Sequence, residues 1–234
     1  MVGAAASVVN RLIAGLPRKQ RIQFLDRCET VELTMGSALC GINEPLQHVY
    51  FPLVGFISLV ISLGRRPPLE LGLIGNEGML GATLALGVNG APARAIVQGA
   101  GSALRMNAEQ LRRELRDCPA LRPILSRYLY VQLTQLSRSA GCIHFHEVAP
   151  RLARWLLMTH DRAHVDHFRL THELLADMLG VRRSGVTIAA GALKDRKLIS
   201  YNRGEITVTN RRGLEAASCE CYGATVDDYD RHFN

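Results

Sequence analysis

Residues 181–188 read Val-Arg-Arg-Ser-Gly-Val-Thr-Ile. Arg182, Arg183, Ser184 and Thr187 are rigid guanidinium forks and hydroxyls, with no carboxylate or imidazole among them to move a proton. Such a set suits recognition of an acceptor-rich, anionic partner rather than catalysis. Arginine donates two hydrogen bonds to a guanine edge, and hydroxyls reach bases or phosphates, when a helix N-terminus enters a DNA major groove.

The surrounding chain is built to present these residues. Residues 174–193, LLADMLGVRRSGVTIAAGAL, read as two short helices around Gly180, which can take the positive φ of a tight interhelical turn. Thr171 is placed to cap the first helix. Ala176 is small where the helices approach, and Val181, Val186 and Ala189 point back toward Leu175 and Leu179. Downstream, LISY and ITVT flank Asn202, Arg203 and Gly204, a pattern of two short strands joined by a turn. Arg203 on that hairpin is a candidate phosphate contact. Upstream, RLARWLLMTH (151–160) reads as an amphipathic helix with Leu152, Trp155 and Leu156 inward and Arg151 and Arg154 outward. DRAHVDHF follows as a polar connection. Helix, helix, turn, helix, hairpin is the order of a winged helix-turn-helix. The charge agrees: of the net +7, residues 148–217 carry +5 while 218–234 carry −3.

Ahead of this unit the pattern changes twice. Residues 1–30 read as helix, broken at Pro17, with Val8, Val9, Leu12, Ile13, Leu16, Ile22, Phe24 and Leu25 apolar. Between 31 and 106, short runs such as HVYFP, FISLVISL, LELGLIG and RAIVQG alternate with glycine and proline turns, which predicts an antiparallel barrel or sandwich. Helix resumes after Asn107 and runs to about His146. There Leu129, Leu133, Leu136, Ala140 and Ile143 are spaced as a heptad seam, while Gln132, Gln135, Arg138 and Ser139 leave another face polar. The seam predicts pairing with a second copy of the chain, and Gly141 and the residues up to Pro150 a hinge. The acidic last 17 residues are expected as a short helix or loosely held tail.

With 234 residues, 47% of them hydrophobic, the chain can bury a core without staples. No apolar run approaches the ~20 residues of a bilayer span, so no membrane partner is expected. The first residues lack the charge and cleavage pattern of a signal peptide, so a cytoplasmic location is expected. The six cysteines (28, 40, 118, 142, 219, 221) read as reduced thiols, and no metal or cofactor is expected. A zinc hydrolase would need a histidine three residues after the glutamate in His146-Glu147 or His172-Glu173, where Pro150 and Ala176 stand. No catalytic set emerges, so no enzyme is predicted. A metal- or redox-responsive sensor on the same frame is the alternative, with His160, His164 and His167 beside Asp161 and Asp166, and Cys219 with Cys221 as soft ligands.

THELLADMLGVRRSGVTIAAGALKDRKLI, HEVAPRLARWLL and HVYFPLVGFISLV together make residues 10–217 resemble the Crp/Fnr superfamily of bacterial transcription regulators. The resemblance implies an α+β fold: an N-terminal antiparallel β-roll of the cyclic-nucleotide-binding type, a long dimerisation helix and a C-terminal winged helix-turn-helix. The corresponding segments are 1–106 for effector sensing, 107–147 for dimerisation and hinge, 148–217 for DNA binding and 218–234 for the tail. It further implies a homodimer on a palindromic promoter site, with double-stranded DNA, RNA polymerase and a small-molecule effector as partners. Arg183, Ser184 and Ile188 match the three base-contacting positions of the family's recognition helix, where the cyclic-AMP receptor type has arginine, glutamate and arginine, so a different operator is expected. The effector pocket would comprise Gly75, Glu77, Gly78, Arg94, Ala95, Leu136 and Ser137. Glu77 follows an extra residue, Arg94 is shifted by one, and Leu136 and Ser137 keep one hydroxyl of two, which speaks against cyclic AMP and leaves the effector unidentified. The N-terminal cysteine cluster that holds an iron–sulfur centre in some relatives is absent.

Overall fold

The computed structural model of the protein describes residues 9–64, 67–202 and 204–233. Val8 and Arg203 lie outside the described residues. The N-terminal helix expectation resolves, from residue 9 onward, into two short helices, α1 (Arg11–Ala14) and α2 (Arg18–Leu25). Asn10 caps α1. Its buried side chain accepts from the Leu12 and Ile13 amides and donates to the Pro52 and Gly78 carbonyls, so no polar atom of that amide is left unpaired.

Strands β1 (Glu29–Leu33), β2 (Ala38–Cys40), β3 (His48–Ile61), β4 (Leu69–Ile74) and β5 (Arg94–Asn107) form one antiparallel sheet. The order is β1-β5-β3-β4, with β2 also paired to β5. HVYFP and FISLVISL, which read as two strands, are the two halves of β3. Gly55 lies between them at φ +80°, and a Cβ there would stand 2.3 Å from the Gly99 carbonyl oxygen. The register shift on both sides of it is a bulge that bends the strand without ending it. The bend closes the sheet around Leu33, Tyr50, Ile57, Ile74, Leu80, Ala95, Val97 and Ala103, making a roll.

Helix α3 (Ala108–Asp117) and the 25-residue α4 (Leu121–Phe145) follow. Leu121, Ile124, Leu125, Tyr128 and Val131 of α4 are buried against the roll and α1. Gly141 does not interrupt α4. The break falls at His146 and Glu147, after which α5 (Val148–Ala163) begins.

The C-terminal unit comprises α5, β6 (His167–Arg169), α6 (His172–Leu179), α7 (Arg183–Asp195), β7 (Ile199–Asn202), β8 (Glu205–Val208) and α8 (Arg211–Ala217). The predicted hairpin forms, and its sheet runs β6-β8-β7. Part of the segment read as a polar connection is therefore strand: three residues are too few for a period-2 pattern to be visible, and β6 is defined by its pairing with β8. Arg151 is buried rather than outward. Its guanidinium donates to the Leu179 carbonyl, one of the last-turn carbonyls of α6 that its own helix cannot satisfy. The acidic tail is the ordered helix α9 (Cys221–Phe233), lying on the polar face of α4 with Tyr229 buried and Arg138 paired to Asp228 at 2.5 Å.

Roll and C-terminal unit share a core. Phe56, Val60 and Leu73 of β3 and β4 pack with Trp155, Phe168, Leu175 and Met178. Two polar links cross the same boundary: the Trp155 indole donates to Glu70 at 2.7 Å, and Arg162 pairs with Glu77 at 2.8 Å.

Burial pushes the Glu70 carboxyl up to about 7, only partly offset by hydrogen bonds from Ser58 and Trp155. With an unfolded value of about 4.3, folding takes up a proton between the two, so this stabilisation is complete below the unfolded pKa and is lost as pH rises through about 7. The thermal midpoint should fall between pH 5 and 8, and Glu70→Gln should flatten that decline. Equal slopes in the two proteins would show that Glu70 is ionised throughout.

Candidate nucleic-acid interface

The recognition surface is set by caps. Thr171 precedes α6 in extended conformation, and its hydroxyl accepts from the Leu174 amide at 3.1 Å. At the other end Gly180 takes φ +65°, its own amide and that of Val181 returning to carbonyls of α6. Arg182 then sits in extended conformation as the residue before α7. Val186, Ala189, Ala190 and Leu193 face the core. By helical period, Arg183, Ser184, Thr187 and Ile188 lie on the opposite face, all exposed.

These side chains are not equally free. Thr187 donates its one hydroxyl proton to the Arg183 carbonyl, so in the 3.0 Å contact with His172 the Nδ1–H must be the donor. Burial and the nearby Arg183 charge lower the His172 pKa, and the neutral ring stacks on Tyr201, 4.4 Å between centroids. Thr187 thus joins the recognition helix to α6 more than it faces outward. Arg183 lies 3.8 Å from Glu173 with both side chains solvated, a pairing weak enough to exchange for a ligand. Ile188 is 74% exposed, an apolar side chain that nothing among the described residues covers. Arg182, Arg183, Ser184 and Ile188 therefore form a continuous free surface over the first turns of α7, with Thr171 at the rim.

A Crp-like helix-turn-helix domain model matches residues 150–217, the segment that contains this surface. Over 176 residues the chain is 24% identical to the global nitrogen regulator of a Nostoc species, covering 71% of this chain and 78% of that protein. Among solved structures, a Crp/Fnr-family transcriptional regulator from Eubacterium rectale superposes with TM-score 0.67 at 16% identity, covering 88% of this chain and 96% of that one. FixK2 from Bradyrhizobium japonicum gives TM-score 0.69 at 15% identity, covering 82% and 98%. Residues 150–217 are a Crp-like helix-turn-helix DNA-binding domain, and the chain as a whole has the fold of solved Crp/Fnr-family regulators. The curated relative is likewise a regulator.

The residues that the resemblance pointed to as an effector pocket differ in exposure and in partners. Glu77 is buried, accepting from the Gly75 amide and from Arg162 of α5. A Cβ on Gly78 would strike the Tyr128 ring. Arg94 is exposed at the start of β5, and Ala95 is buried inside the roll. Leu136 and Ser137 are exposed on α4, the Ser137 hydroxyl donating to the Leu133 carbonyl. The roll cavity between Leu59, Met79 to Thr83, Ala91 to Ala93 and Gln132 has only about 40 Å³. A cleft of about 650 Å³ opens instead between roll and C-terminal unit, and of the seven residues only Glu77 lines it. Around it stand His160, Arg162, Arg211 and Tyr222. His160 meets Asp166 and Arg211, so the histidines at 160, 164 and 167 do not gather with Cys219 and Cys221.

The cap and the reading surface should separate in a urea titration. Thr171→Ala should cost about 1 kcal/mol by leaving a helix amide unpaired, whereas Arg183→Ala should stay within about 0.5 kcal/mol of wild type. A loss of stability at Arg183 as large as at Thr171 would mark it as structural.

Proposed function

We propose that the protein is a homodimeric, sequence-specific regulator that reads a palindromic promoter site through α7. The observation carrying this is the free surface of Arg182, Arg183, Ser184 and Ile188 on a helix whose other face is wholly buried. Arg183 addresses a guanine and Ile188 suits a thymine methyl, while Thr171, Ser184 and the hairpin Arg203 serve phosphates or neighbouring bases.

Dimerisation is supported by α4. Its roll side uses Leu125, Tyr128 and Val131, which leaves Leu133, Leu136 and Ile143 at 62, 44 and 44% exposure, with Ala140 between them and Leu129 half-buried at the upper end. That is an apolar stripe left uncovered among the described residues, at the spacing of a two-helix seam. In this reading residues 1–106 sense the effector, 107–147 dimerise, 148–217 bind DNA in the cytoplasm, and RNA polymerase is the downstream partner. The effector is a small molecule other than cyclic AMP. Glu77 is already held by Arg162, and the roll cavity of about 40 Å³ would have to open for any effector to enter.

Selection from a randomised duplex library should return a two-fold symmetric site with half-sites about one helical turn apart, bound less tightly as salt rises. Arg183→Ala should cost about 1–3 kcal/mol on that site and relax one position of it, while Arg203→Ala should weaken all duplexes alike. Leu133→Glu with Leu136→Glu should leave a folded monomer in sedimentation. Wild-type affinity and selectivity in Arg183→Ala would overturn the assignment.

A further inference from the structure

Three of the six cysteines and one histidine, far apart in the chain, meet at a single point. Cys142 lies in the last turn of α4 and His146 follows one turn later, at the break before α5. Cys219 and Cys221 flank the start of α9. The four ligand atoms all lie within 4.8 Å of one another, with Cys142 Sγ 3.7 Å from Cys219 Sγ and Cys221 Sγ 3.7 Å from His146 Nδ1. The cysteines are buried and form their own cluster, apart from the three large apolar cores.

We propose that Cys142, His146, Cys219 and Cys221 form a tetrahedral site for one zinc ion. Bond lengths of about 2.3 Å to sulfur and 2.0–2.1 Å to nitrogen put neighbouring ligand atoms of a tetrahedron about 3.5–3.8 Å apart, which is the spacing of both close pairs. A multi-iron cluster distributes its thiolates over a larger polyhedron and is not accommodated by pairs this close. The second ring nitrogen supports the assignment. His146 Nε2 lies 3.0 Å from a carboxylate oxygen of Glu220, so Nε2 carries the proton and Nδ1 presents its lone pair to the thiol cluster, the arrangement that orients metal-bound histidines. Three thiolates on a divalent ion leave one net negative charge, and the positive charges of Arg154 and Arg151 act on Cys142 from α5.

With four protein ligands and no open position, the site is structural rather than catalytic. It ties α9 to the junction where the long helix hands over to α5, so metal occupancy fixes the angle between α4 and the C-terminal unit. That consequence rests on the DNA-binding reading. The metal site does not, and the two fail separately because metal binding is read without DNA.

The experiment uses the full chain, without a histidine tag and with its thiols reduced. Protein as purified should contain about one zinc per chain. After stripping with a chelator it should take up one cobalt(II), giving the intense visible bands and thiolate charge transfer of a tetrahedral, sulfur-rich site, and zinc should displace it. Cys219→Ser and His146→Ala should lose or shift that spectrum while Cys40→Ser, outside the cluster, keeps it. Glu220→Gln, whose side chain is 81% exposed and dispensable for packing, should weaken cobalt binding about 10- to 100-fold. Cobalt failing to give a tetrahedral spectrum with the fully reduced wild-type chain, or an unchanged spectrum in Cys219→Ser, would overturn the proposal. Operator affinity unchanged by stripping would overturn the effect on the angle between α4 and the C-terminal unit and leave the metal site itself standing.

Discussion

Arg162 and Glu77 are opposite charges buried together, their side chains 6 and 9% exposed, and removing either would leave the other uncompensated. Glu77 belongs to the turn after β4 and Arg162 to the last turn of α5, so the pair fixes where the first helix of the DNA-binding unit lies against the roll. The remaining contacts between the two units follow from that placement. Trp155 reaches Glu70, Phe56 and Leu73 join the core of the helix-turn-helix, and Leu69 stands against Gly180. The same pair occupies the carboxylate that resemblance alone would assign to an effector, and both residues line the cleft between the units.

The recognition surface is in turn a product of opposing demands on a short helix. α7 must bury Val186, Ala189, Ala190 and Leu193 to be held at all, and period 3.6 then assigns Arg183, Ser184, Thr187 and Ile188 to solvent. His172 adds rigidity by bonding Thr187 and stacking on Tyr201, so α6, α7 and the hairpin are locked to one another through one neutral ring.

Local features were legible in the sequence. Thr171 as a cap, Gly180 as a left-handed turn, the helix beginning near Arg182 and the hairpin around Gly204 each depend on a few adjacent residues, and each is found. The apolar stripe of Leu133, Leu136 and Ile143 on α4 was legible too, because it depends only on spacing along one helix. Features made by distant partners were not. β6 is a strand only through β8, and Arg151 turns inward because the end of α6 offers a carbonyl. Cys142 and Cys219 are 77 residues apart, so the cysteine pair at 219 and 221 could be noticed but its partners could not; the one local hint was a cysteine and a histidine one helical turn apart, at 142 and 146. Gly55 misled for a different reason. Glycine usually marks the end of a strand pattern, and here it lets the strand continue through a bulge.

Winged helix-turn-helix units are commonly regarded as interchangeable parts, and the shared core of this chain argues otherwise. Phe56, Val60 and Leu73 come from the roll yet pack among Trp155, Leu175 and Met178. Residues 150–217 moved onto another scaffold would carry an exposed apolar face and an indole whose acceptor, Glu70, stayed behind. Exchange of this unit is therefore constrained at the boundary, because a change at Glu70 or Trp155 alone would leave its partner without a hydrogen bond.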